Sequence, residues 1–191
     1  MLKKLSPIVL LMLLTSLAAH ALANSNDAKL EMTAAVEAVR PALIRIHVVS
    51  SDYRQGREVK TESFGSGVII SPEGYAVTNH HVAMDAERIV CTLADKREIE
   101  AKLIGTDPLA DIAVIKLTST DGKPFPFAEF GDSSKLEVGD RVFAMGCPYS
   151  LSQSVTMGMV SNTEMMLPKE SFPEDFTLEG EPVGSMVRWI G

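Results

Sequence analysis

Between Ala42 and Leu117 the chain repeats short, β-branched apolar segments punctuated by turn residues and holds no helix of useful length, which restricts this stretch to an all-β arrangement. Leu43 to Val49 opens the series, and Ser50 to Ser63, polar with Gly56 inside it, reads as a loop. Val68-Ile69-Ile70 then faces Tyr75 to Thr78 across Ser71-Pro72-Glu73-Gly74, where proline presets φ and glycine supplies the permissive position of a tight turn. Arg88 to Leu93 and Glu98 to Ile104 flank Ala94-Asp95-Lys96-Arg97 as a second hairpin, and Ile112 to Leu117 is an apolar run with little alternation. Six such strands with regularly spaced turns close into a small β-barrel or a sandwich.

The flanking segments differ in texture. Leu30 to Arg40 carries Met32, Ala35, Val36 and Val39 at helical spacing, and Pro41 ends it. Gly122, Pro124 and Pro126 mark a linker by composition. Beyond it stand only three strand candidates, Arg141 to Gly146, Ser154 to Ser161 and Met186 to Ile190, with Leu167 to Gly184, rich in proline and acid, expected as an exposed loop. Three strands leave an open edge and an uncovered apolar face. The expected organisation is a helical segment over 24–41, a first barrel over 42–120, a linker over 121–140 and an incomplete second unit over 141–191. The pattern at Trp189-Ile190-Gly191 reads as a strand cut off without a closing turn.

Residues 1–23 form an address. Lys3 and Lys4 precede an apolar run centred on Ile8 to Leu14, and Ala21-Leu22-Ala23 supplies the small-x-small pattern that signal peptidase cuts, so cleavage is expected after Ala23. The run is short for a bilayer that needs about 20 apolar residues, so no stable membrane span is expected once it is removed. Cleavage takes two lysines and no acid from a chain whose net charge is already −7. An acidic chain without a Lys/Arg block repels phosphate backbones, which argues against a nucleic-acid partner. Export brings Cys91 and Cys147 into an oxidising compartment. Their spacing does not bring them together, and two buried free thiols are expected rather than a disulfide.

The chemistry-bearing residues cluster in two places. Thr78-Asn79-His80-His81-Val82 ends one strand, and Asp107-Pro108-Leu109-Ala110-Asp111 leads into another. A histidine and a buried carboxylate are the two parts of a hydrolytic triad other than the nucleophile: the imidazole takes the hydroxyl proton, and the carboxylate fixes its tautomer. On spacing alone the same residues also fit a structural histidine and a turn aspartate. A metal site on His80 and His81 would need further ligands, with Asp85 the only one nearby. Asp107 before Pro108 reads as a turn residue, and His47 as an ordinary strand residue. The pairs Met157/Met159 and Met165/Met166 read as core and loop filler.

Four blocks together resemble the HtrA (Deg) group of trypsin-like serine proteases: Gly65-Ser66-Gly67-Val68-Ile69-Ile70; Gly74 to Val82; Ile104-Gly105-Thr106-Asp107 through Asp111 to Lys116; and Gly131-Asp132-Ser133-Ser134 through Val138-Gly139-Asp140. The resemblance runs from about Val39 to Ser161. It implies two six-stranded barrels with a triad between them, here with the first barrel complete and the second truncated. It also implies a periplasmic or otherwise exported endopeptidase acting on unfolded or misfolded polypeptides, with His81 as general base and Asp111 orienting it. No cofactor is implied, and a homo-oligomer is left open, without support in the sequence. His80 stands where the family commonly has asparagine, and on an extended segment, where adjacent side chains point opposite ways, it is expected to face away from the cleft.

The family's Gly-Asn-Ser-Gly-Gly nucleophile block is not present between Met1 and Gly191. Trp189-Ile190-Gly191 resembles the strand leading into it, so the serine is expected beyond residue 191. Ser66 precedes His81 and lies in a barrel-strand block, and Ser133 follows Asp111 too closely to leave room for the second-barrel strands, so neither is the expected nucleophile. A following PDZ domain is not visible. The expected function is an exported serine endopeptidase seen in part; the alternative is a catalytically inactive short form that binds peptides or proteins.

Overall fold

The computed structural model describes residues 28–54, 57–119, 121–147, 154–165, 177–178, 181–182 and 190–191. The expected signal segment 1–23, most of the strand expected over 186–190 and most of the loop expected over 167–184 lie outside them. The chain divides into a compact unit ending at Glu37 and a second from Ala38 to Gly191. Helix α1 occupies residues 28–39 and partly buries Met32, Ala35, Val36 and Val39, the residues whose spacing predicts it, while Leu30 is exposed. A 3-10 turn, Arg40–Ala42 with proline at its start, ends the helical stretch.

Six strands follow: β1 (Leu43–Arg54), β2 (Arg57–Ile69), β3 (Tyr75–Thr78), β4 (Arg88–Thr92), β5 (Glu98–Asp107) and β6 (Ile112–Leu117). They close in the order β1-β2-β3-β6-β5-β4, so the barrel interior has no edge to protect. Ile44, Ile46 and Val48 of β1, Ile69 of β2, Ala76 of β3, Ile89 and Cys91 of β4, Ile99 of β5, and Ala113, Ile115 and Leu117 of β6 fill it. Strand β6, apolar almost throughout in sequence, alternates in burial all the same, with Ile112 left outside and Ala113 inside. The turn between β2 and β3 forms as the sequence predicts: Gly74 has φ +92°, its N–H donates to the Ser71 carbonyl at 3.0 Å, and Ile70 N–H donates to Tyr75 O at 2.8 Å.

The described residues between Ser50 and Ser63 are strand, not loop. Strands β1 and β2 run on as a paired ribbon from Leu43↔Val68 to Arg54↔Arg57. From Arg57 to Phe64 every β2 side chain is exposed, so the segment shows none of the apolar alternation by which a strand is read. Polar cross-strand pairs support it instead: Ser51 Oγ donates to Glu58 Oε1 at 2.8 Å, and His47 stacks on Phe64 with ring centroids 4.7 Å apart while its Nε2 lies 3.0 Å from Glu62 Oε2.

After the barrel the chain stays on it. Phe125 is buried in the barrel core, its N–H donating to Pro72 O and that of Ala128 to Ile69 O, both at 2.9 Å. A second, smaller antiparallel sheet pairs β7 (Arg141–Gly146) with β8 (Ser154–Met159), in register from Arg141↔Met159 to Gly146↔Ser154. Within the stretch expected as a loop, β9 (Thr177–Leu178) and β10 (Glu181–Pro182) pair antiparallel, a local ladder too short to be read from periodicity. Gly191 exchanges backbone hydrogen bonds with Asn162, N–H to O at 2.8 Å and 3.2 Å.

Candidate active site

His81 and Asp111, 30 positions apart, meet at one end of the barrel. Strand β3 ends at Thr78, and the chain turns into a four-residue helix, α2 (His80–Ala83), that seats Val82 and Ala83 in the barrel core. This places His80 and His81 on a helical turn rather than the extended segment expected from the sequence, so their side chains diverge by a helical step. Gly65 lets that turn approach β2: a Cβ there would lie 2.5 Å from Val82 Cγ1.

Asp111 sits at the entrance to β6 with φ +52°, a left-handed conformation that aspartate tolerates better than most residues. Its carboxylate faces the imidazole, with Oδ2 2.8 Å and Oδ1 3.0 Å from His81 Nδ1. The His81 backbone N–H donates to Oδ1 at 3.0 Å. The carboxylate side chain is 12% exposed and the imidazole 48%, so a buried anion lies behind a ring that reaches solvent. That arrangement favours a proton on Nδ1 and leaves Nε2 as the basic nitrogen.

Sequence reasoning assigned no role to Asn79, although it stands in the same block. It occupies the N-cap position of α2 yet makes no cap hydrogen bond with its side chain. Its amide instead donates to both the backbone carbonyl and Oδ2 of Asp111, each at 3.1 Å. The only available signal was an asparagine at a strand end; its partner lies 32 positions away.

The other candidates separate clearly. Ser66 Oγ accepts the Cys147 backbone N–H at 2.7 Å, and its carbonyl accepts Thr78 Oγ1 at 2.8 Å, so Ser66 ties the end of β7 to the first barrel. Ser133 starts a 3-10 turn capped by Asp132, whose carboxyl is held below the usual carboxylate range mainly by the Ser134 hydroxyl. Asp107 accepts the Leu109 and Ala110 N–H groups, closing the turn around Pro108. The His80 N–H donates to Asp111 O at 3.1 Å, and its buried Nδ1 has no hydrogen-bond partner among the described residues. Among the described residues no group of three or more His, Cys, Asp or Glu could hold a metal ion, Asp85 included. Cys91 and Cys147 are both free and buried. Met157 and Met159 are exposed on β8 rather than in a core. No described helix is long and apolar enough to cross a membrane.

The comparisons with known proteins bear on this geometry. A family profile described as trypsin-like peptidase domain matches residues 65–185. A protein of Pseudomonas putida named "Probable periplasmic serine endoprotease DegP-like" is 45% identical over 119 residues, covering 62% of this chain and 24% of the relative. One of the same name from Hahella chejuensis is 38% identical over 154 residues, covering 72% and 32%. Among solved structures, "HtrA-type protease AlgW with tripeptide" matches with a TM-score of 0.58 at 36% identity, over 67% of this chain and 38% of that one. "HtrA-type protease AlgW with decapeptide" matches with a TM-score of 0.56 at 32% identity, over 66% and 44%. The chain thus spans between 24% and 32% of the length of these curated relatives.

Proposed function

This chain belongs to the trypsin-like peptidase family, in its HtrA/Deg group, and from that premise we propose that it is the N-terminal part of an exported serine endopeptidase that cleaves unfolded or misfolded polypeptides. His81 is the general base and Asp111 its orienting carboxylate. The observation that carries this reading is the 2.8 Å approach of Asp111 Oδ2 to His81 Nδ1, with the carboxylate buried and the ring half open to solvent.

In this mechanism Asp111 holds the proton on Nδ1, so Nε2 accepts the proton of a serine hydroxyl as it attacks the peptide carbonyl. The imidazolium that forms is stabilised by the carboxylate behind it and then protonates the leaving amine. The serine and its oxyanion-hole backbone are expected from chain beyond residue 191. Relatives named as periplasmic support the periplasm as the site of action, consistent with the address read in residues 1–23.

The test begins with the coding DNA past codon 191. An open frame reaching a glycine-flanked serine should encode a product that degrades a denatured substrate. His81→Ala should lower its kcat by about six orders of magnitude and Asp111→Asn by about four. Unchanged turnover in His81→Ala would remove the base assignment; a stop codon with no serine would leave the peptide-binding short form as the reading.

A further inference from the structure

We propose that Asn79 is the positioning residue of the His81/Asp111 pair; the inference rests on the reading of His81 and Asp111 given above. An aspartate beside a histidine is useful only if its carboxylate plane is fixed toward the ring. Rotation about Cβ–Cγ turns one oxygen away, and the Nδ1 proton loses its acceptor. Each Asp111 oxygen has one anchor besides the imidazole: the His81 backbone N–H on Oδ1 at 3.0 Å, and the Asn79 amide on Oδ2 at 3.1 Å. Two anchors on two oxygens define the plane, whereas one anchor leaves a pivot.

Asn79 also grips the residue's backbone. Its amide nitrogen lies 3.1 Å from Asp111 O, which accepts the His80 N–H at 3.1 Å as well. These bonds hold Asp111 at its left-handed φ of 52°. Every one of these donors comes from the three consecutive residues Asn79, His80 and His81, so the turn that carries the base also carries the clamp on its carboxylate. The geometry explains why an N-cap asparagine leaves its cap unmade: its amide is engaged across the barrel end.

The pair lies wholly in this chain, so the test needs no nucleophile. Nitrogen-15 NMR of the 191-residue chain reads the tautomer of neutral His81. The parent chain should carry its proton mainly on Nδ1. Asn79→Ala should shift the tautomer ratio toward Nε2–H by about fivefold, the equilibrium equivalent of one lost hydrogen bond. Asn79→Leu, which keeps the branched shape without a donor, should do the same, with the thermal unfolding of both variants following that of the parent. An unchanged ratio in folded Asn79→Ala or Asn79→Leu overturns the proposal, and so does loss of fold in both, since Asn79 would then hold the barrel rather than the carboxylate. If the parent chain itself shows no Nδ1–H preference and Asp111→Asn changes nothing, the reading of the pair fails instead.

Discussion

Gly67 has space for a hydrogen and little else: a Cβ there would lie 2.9 Å from both Ile46 Cδ1 and the Val77 carbonyl oxygen. The carbonyl belongs to a strand and cannot rotate away. Gly67→Ala should therefore cost about 1–3 kcal/mol in urea unfolding, the range of an overpacked core, and a cost near zero would mean that the barrel breathes at this point. Cys91 tests burial at the same scale. Its thiol lies inside the barrel, and burial pushes it up from an ordinary 9.0 to about 12. The folded chain thus keeps a proton that the unfolded chain releases. This contribution to stability is intact below the ordinary value of 9.0 and is lost as the pH rises toward about 12. Alkylation at pH 9 should accordingly mark Cys91 only in unfolded chains; rapid labelling of folded protein would contradict its burial. His81 and Asp111 were legible as residues because each sits in a recognisable block. The role of Asn79 was not, because its hydrogen bonds exist only once positions 79 and 111 have been folded together.

Among the elements, bounds were read best where an apolar run fills the strand, and β5, expected over Glu98 to Ile104, runs on to Asp107 with its last side chains exposed. Strand β6 runs Ile112–Leu117 and β7 runs Arg141–Gly146, as their apolar runs predict. The ribbon continuing β1 and β2 escaped because its β2 side chains face water from Arg57 to Phe64, and backbone pairing alone leaves no mark in composition. The joint between the barrel and the smaller sheet was equally hidden. It depends on Ser66 of β2 accepting the N–H of Cys147, 81 positions later. Removing that hydroxyl leaves the amide of a buried residue without its acceptor, so Ser66→Ala should lower stability by about 1–3 kcal/mol. Denaturation monitored in the parent and the variant measures it; an unchanged midpoint would show that water replaces the hydroxyl there.

For the molecule as a whole, closure divides the chain into parts of unequal protection. The first barrel pairs all six strands around one apolar interior, whereas β7 and β8 form a two-stranded sheet with Met157 and Met159 exposed. Amides of β1, β3 and β6 should exchange with solvent far more slowly than those of β7 and β8, since an isolated pair of strands is marginal in water. Equal protection in hydrogen exchange would point to a covered second sheet in solution. The sequence by itself determined the class of fold, six strands, the tight turns that follow β2 and β4, and the two blocks that carry His81 and Asp111, because apolar periodicity, proline, glycine and short motifs act over a few neighbouring residues. Only the tertiary structure decided which strands close the barrel, that a polar segment pairs as a ribbon, that Ser66 is a strut and that Asn79 grips the carboxylate. Each of these is a hydrogen bond or a packing contact between distant positions, and its energy arises only after the chain has brought them together.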